Sequence, residues 1–108
     1  MGMLEDDLDY GLKLSRLQEH NRAITDKILE RATWEVARTQ LRFPQPNYTT
    51  LKVAEEAGEV VRGAVHYAEK RASWDDLENE VVQMIAMGLR LLIEGDQING
   101  VIPPINRS

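Results

Sequence analysis

The sequence predicts an all-α protein, a four-helix-type bundle, and three observations carry that expectation. Apolar residues recur at three- and four-residue spacing along most of the chain. No run alternates β-branched and aromatic residues between turn signals, as a strand would. All four prolines stand in two short stretches, "FPQPNYTT" and "VIPPINRS", which leaves long intervals free of helix breakers.

The chain has 108 residues, 43% hydrophobic and 29% charged, the balance of one ordinary globular domain. A core this small gains from burying more surface by association, so a homodimer or homotetramer is expected. There is no cysteine, which excludes disulfides, thiolate zinc sites and cysteine nucleophiles and fits a reducing compartment. The N-terminus "MGMLEDDLDYG" is acidic without a long apolar core, and no run is long enough to span a bilayer; the expectation is a cytoplasmic protein with no membrane partner. The formal charge of −5, with scattered basic residues, argues against nucleic acid. If such a protein handles a phosphate compound, cations must mediate the contact.

Residues 4 to 19 carry Leu4, Leu8, Leu12, Leu14 and Leu17 in a loose helical pattern. Asn21 is placed to cap a second stretch over 21 to 42, with Ile24, Ile28 and Ala32 on one stripe and Trp34, Ala37 and Leu41 on another. One long helix and two shorter ones are both compatible with this pattern. After the prolines, Asn47 or Thr49 offers a cap for a helix over 49 to 70, with Val53, Ala57, Val60, Val61 and Ala64 at core spacing. Gly58 and Gly63 each cost about 1 kcal/mol relative to alanine, which suggests close helix packing or a ligand. Ser73 with Asp76 forms a capping-box start for the last helix, and Gly95 is its natural stop. That helix turns Leu77, Val81, Met84, Ile85, Gly88, Leu91 and Leu92 inward. The tail from 96 to 108 is expected as an extended arm on the bundle or on a neighbouring subunit. One domain over 1 to 108 is expected, with its motif core at about 24 to 94 and a helical extension before it.

The carboxylates fall on particular flanks. At roughly 100° per residue, Glu56 and Glu59 lie together beside the apolar face centred on Ala57 and Val61, and Glu55 points away. In the last helix Glu80 and Gln83, with Asp76 a turn earlier, share one flank. Antiparallel neighbours joined by a short loop would turn these flanks toward each other. Carboxylates gathered that closely repel unless a cation is shared, and oxygen donors without Cys or His select magnesium or manganese. Spacing alone raises a metal site without establishing it, since solvated helix faces carry the same charged i,i+3 pairs.

"EEAGE" at 55 to 59, followed by "ENEVVQMIAMGLRL", resembles the EExxE and ExxD motifs of the MazG-like all-α nucleoside triphosphate pyrophosphatases, whose relatives include dimeric dUTPases and dCTP pyrophosphatases. The approach "W…FPQPNYTTLKVAEEAGE" is similar as well, and the likeness covers residues 24 to 94. The resemblance implies hydrolysis of a (d)NTP between the α and β phosphates, giving the monophosphate and pyrophosphate with magnesium. Carried onto this chain, it implies Glu56, Glu59 and Glu80 as metal ligands, with Glu56 or Glu59 taking the proton of the attacking water. Gln83 stands where the family has aspartate. Glutamine offers a carbonyl oxygen but no charge and no base, so three outcomes compete: an enzyme with fewer or weaker metals, one in which Asp76 or Glu78 substitutes, or a non-catalytic module that binds nucleotide or a protein partner.

Four further residues are candidates for substrate binding. Trp34 lies where relatives place an aromatic near the base, though a core tryptophan is the alternative. Asn47 could recognise base or sugar, or cap the helix. Lys52 and Arg90 are candidate phosphate contacts or solvated surface charges. Beyond the last helix only Asn106 and Arg107 resemble the basic and amide residues with which relatives clamp the triphosphate. His20 and His66 lack the Glu-x-x-His spacing of di-iron bundles, and no Gly-x-x-x-x-Gly-Lys loop is present.

Overall fold

The computed structural model describes residues 3–105; Asn106 and Arg107 lie outside them. Among the described residues there are three helices, α1 (Met3–Arg42), α2 (Thr49–Ala68) and α3 (Trp74–Glu94), and no strand beyond one isolated antiparallel bridge between Asp96 and Val101. The all-α expectation holds. The stretches 4 to 19 and 21 to 42 are a single helix of 40 residues. Asn21 sits inside it rather than capping its second half, and the Thr25 hydroxyl bonds back to the Asn21 and Arg22 carbonyls at 3.2 and 3.1 Å. No proline or glycine stands near Asn21, so nothing stops the helix there.

The chain divides into two units, Met1–Glu30 and Arg31–Ser108, with the division falling inside α1. In the first unit every described side chain except the half-buried Ile28 is exposed. The second unit holds the buried apolar residues Ala32, Val36, Val82, Ala86 and Met87.

Helix α3 lies against both the C-terminal part of α1 and α2. The face toward α1 is set by polar links: Arg31 donates to Glu78 and Asn79, and the Gln40 amide donates to Glu94 at 3.0 Å. Arg90, 1% exposed, gives Nε to Glu94 and its two terminal nitrogens to the Thr39 and Phe43 carbonyls. The α3 residues buried outright are therefore Val82, Ala86, Met87 and Arg90. Leu77, Val81, Met84, Ile85, Gly88 and Leu91 are half-buried, and Leu92 is exposed; the inward face is turned by about one position from the expected one. Burial opposes the charge of Glu94, but donors from Gln45, Gln40 and Arg90 outweigh it and hold its carboxyl below the ordinary value.

Helix α2 departs further from expectation. Its only buried residue is Thr49. Val53, Ala57 and Val60 are half-buried, Ala64 is exposed and Val61 is 64% exposed. Trp34 and Leu41 of the second α1 stripe are likewise open, at 66% and 87%, which excludes a core position for Trp34 within this chain.

The helix ends explain how α2 is held. Neither Asn47 nor Thr49 caps it: the residue before the helix, Tyr48, makes no side-chain cap bond, and the Asn47 amide donates to the Phe43 carbonyl instead. The cap comes from Asp96, whose carboxylate accepts the Thr50 N–H at 2.9 Å and two donors from Asn99. Gln45 adds bonds to Thr49 and Glu94. Gly95 ends α3 as expected, with φ 76°; a Cβ there would stand 2.2 Å from the Val101 carbonyl oxygen, so no other residue fits. At the far end of α2, Lys70 takes φ 61° while Arg71 N–H reaches the His66 carbonyl and Lys70 N–H that of Tyr67, a Schellman-type stop without glycine. Ser73 and Asp76 form the expected capping box. Tyr67 and Trp74 meet edge to face across this connection, with centroids 5.2 Å apart.

Two expectations follow. Arg90→Met keeps the stem but leaves the Thr39 and Phe43 carbonyls and Glu94 without their donor; a loss of about 2–4 kcal/mol is expected, measured by urea unfolding. Asp96 is enclosed; although burial disfavours its charge, the donors from Asn99 and Thr50 hold its carboxyl well below the usual carboxylate range. A depressed folded value stabilises in full above the unfolded value near 3.8 and is lost as pH falls below it. Asp96→Asn should therefore lower Tm at neutral pH and flatten the fall in Tm between about pH 4 and pH 2.

Candidate functional site

The α2–α3 hairpin aligns the two acidic flanks. Reading α2 forward and α3 backward, Lys52 and Glu56 stand with Gln83, Met87 and Arg90, while Glu59, Gly63 and His66 stand with Asp76, Asn79 and Glu80. Two open clefts thus follow one another along the same groove. The sequential spacing of four, three, four and three residues on α2 keeps its members on one flank, and the antiparallel run of α3 supplies the other wall.

The electrostatics of Glu56 register this convergence. Its carboxyl is raised above the ordinary value first by partial burial, then by repulsion from Glu80 and Glu59; Lys52 acts in the opposite sense and Glu55 adds slightly to the rise. Three carboxylates from two helices therefore share one field. As the side chains stand, no three carboxylates or imidazoles among the described residues converge on a single metal position. The carboxylate oxygens of the two flanks suit magnesium or manganese, and the His66 imidazole lines the same cleft as Glu59 and Glu80.

The other predicted residues separate into three groups. Gln83 lines the cleft beside Glu56, so the position that departs from the ExxD pattern does face the groove. Glu55 is 63% exposed at its side chain and pairs with Lys52 at 3.2 Å; it lies outside both clefts. Asp76 lines the cleft with Glu59 and Glu80, but its carboxylate accepts the Ser73 N–H at 2.9 Å. The Ser73 bonds hold it below the ordinary value. Glu78 is taken by Arg31 on the flank toward α1 and is no substitute ligand.

Lys52 and Asn47 line the cleft. Arg90 lines it too, yet its three nitrogens are engaged by protein acceptors, so it is a buried strut rather than a solvated phosphate contact. Trp34 lines neither cleft; the aromatic beside Asn47 and Lys52 is Phe43, with the Arg42 guanidinium 5.7 Å from its ring centroid. Arg38 also reaches this cleft and is paired with Glu35. It stands seven residues after Arg31, on the same side of α1, which is the one sequence signal that could have found it. Gly58 has open space where a Cβ would project, and at Gly63 the nearest atoms, on Glu80 and Leu77, are at an ordinary 3.6 Å; neither glycine is required by packing within the chain.

Comparison of the chain with family models, curated proteins and solved structures yields no match.

Partial burial of Glu56, joined by repulsion from Glu80 and Glu59, predicts a measurable effect. Its raised value means that stability is lost as pH rises through it, so the ionised cluster is least favourable at neutral pH. Glu56→Gln should raise Tm at neutral pH by a small amount, on the order of 1–3 °C after solvent screening, and the gain should vanish at acid pH, where wild-type Glu56 is already protonated.

Proposed function

We propose that this chain is a magnesium-dependent nucleoside triphosphate pyrophosphohydrolase that converts a (d)NTP to its monophosphate and pyrophosphate, acting on nucleotide pools as a homodimer or homotetramer in the cytoplasm. The observation that carries the reading is the field shared by Glu56, Glu59 and Glu80, at the positions where the sequence resembles the EExxE and ExxD motifs. Magnesium, or manganese, held by these three carboxylates would neutralise triphosphate charge and make a water more acidic. Glu56, with its raised proton affinity, is suited to accept that water's proton, with Glu59 as its alternate. Lys52 lines the same cleft, and its ammonium, now paired with Glu55, would be available to phosphate oxygens. Asn47 and Phe43 border it where a base would be held, Phe43 offering the stacking surface assigned from sequence to Trp34.

A second reading has its own observation. Gln83 faces the cleft with an amide in place of a carboxylate, which weakens any site for a second cation; the same groove could then bind a nucleotide, or a protein partner, without turnover.

The discriminating experiment incubates the protein with a panel of (d)NTPs and magnesium and assays pyrophosphate, alongside nucleotide binding by calorimetry. Turnover of at least one nucleotide is expected, with a drop of about 10²–10⁴-fold in Glu59→Gln and tighter magnesium binding in Gln83→Asp. Binding without pyrophosphate release favours the second reading. Neither binding nor release sinks both.

A further inference from the structure

One stripe of α1 runs along the first unit. At about 100° per residue, Tyr10, Leu14, Leu17, Asn21, Ile24 and Ile28 fall on the same side of the helix. All but the half-buried Ile28 are exposed, Tyr10 at 68%, Leu17 at 58% and Ile24 at 62%. A helix without a packed face is marginal in water, and Gly11 weakens this one further.

The spacing within the exposed part is that of a heptad seam. Leu14, Asn21 and Ile28 occupy the a positions, and Tyr10, Leu17 and Ile24 the d positions. No charge interrupts the seam between Tyr10 and Ile28. Asp7 closes it at one end, and Arg31, engaged by Glu78 and Asn79, at the other. Charges stand outside it, including the pairs Lys13–Asp9 and Arg22–Glu19.

We propose that residues 10–28 of two copies of this chain pair as a parallel two-stranded coiled coil, in register at Asn21. The occupant follows from that asparagine. An amide at a core position is satisfied by a second amide, and a parallel pair sets each a residue against its own counterpart. An apolar partner helix would leave it unpaired at a cost. The seam supplies one surface for the homo-oligomer proposed above and does not depend on what the α2–α3 groove binds.

The chain has no cysteine, so single introduced thiols report the seam directly. Leu17→Cys, at d, and Glu19→Cys, on the opposite side, are made in the full chain and exposed to oxidised glutathione at about 50 µM protein, a concentration chosen for a weak contact of two and a half heptads. Bridging requires Cα atoms within roughly 4.4–6.8 Å. Rapid covalent dimer with Leu17→Cys and little with Glu19→Cys is expected. Equal yields, or none from either, overturn the proposal. A mixture of Leu14→Cys and Leu17→Cys that cross-links faster than either alone indicates antiparallel pairing and overturns it as well. Leu17→Asp, at an exposed site, should reduce helical ellipticity by up to about a third, the share of helical residues before Arg31. Full retention of helicity counts against the seam. Because these readouts do not involve nucleotide, they stand or fall apart from the pyrophosphate assay.

Discussion

A guanidinium closed off from water must find acceptors or destabilise whatever encloses it, and Arg90 finds three within reach of one another. Two are carbonyls at the end of α1, Thr39 and Phe43, and the third is Glu94 on its own helix. Five apolar side chains are buried among the described residues of its unit, so these polar links carry much of the placement of α3 against α1. Gln40 and Gln45 converge on the same Glu94, so the polar knot extends from α1 through the proline loop to the end of α3. The positions of Lys52, Asn47 and Phe43 in the groove depend on it, because that loop delivers them.

Helix α2 is held differently. It buries no apolar side chain, and it is fixed by its partner α3, by the Asp96 cap and by the Schellman-type stop at Lys70. A helix with one face on α3 and another in the open can place carboxylates along the boundary without burying them fully. Of the three glutamates of α2, Glu56 is half-buried and Glu55 and Glu59 are exposed, as 100° steps around one helix allow. The valines at 61 and 65, 64% and 49% exposed, leave apolar surface on the face of α2 that nothing among the described residues covers.

Much of this was legible in the chain. The periodicity of α2 and α3, the capping box at Ser73 and Asp76, the stop at Gly95 and the pairing of the two acidic flanks all follow from local spacing, which is where sequence carries most information. What escaped depended on residues far apart. Asn21 has the chemistry of a cap, but a cap needs a break before it and none exists. Asn47 has the chemistry of a cap for α2, but the cap comes from Asp96, 46 residues beyond the Thr50 amide it accepts. Arg90 shows an ordinary i,i+4 pairing with Glu94, and nothing local reveals that α1 covers it. Trp34 and Phe43 are both aromatics near the proline loop, and the turn of α1, together with the course of the chain after it, decides which one borders the groove. Missed and found residues therefore sort by the range of the interaction that positions them.

The Asp96 cap also has a consequence in time. A ribosome releases Thr50 well before Asp96, and a helix start with unsatisfied amides is its weakest point. Helix α2 can be threaded and can begin to coil against nothing, yet the group that completes its first turn emerges only after all of α3 and Gly95. The helix with the "EEAGE" segment is thus finished by nearly the last part of the described chain to be synthesised. The groove is assembled late by construction, in the closing of a long loop rather than in the growth of a helix.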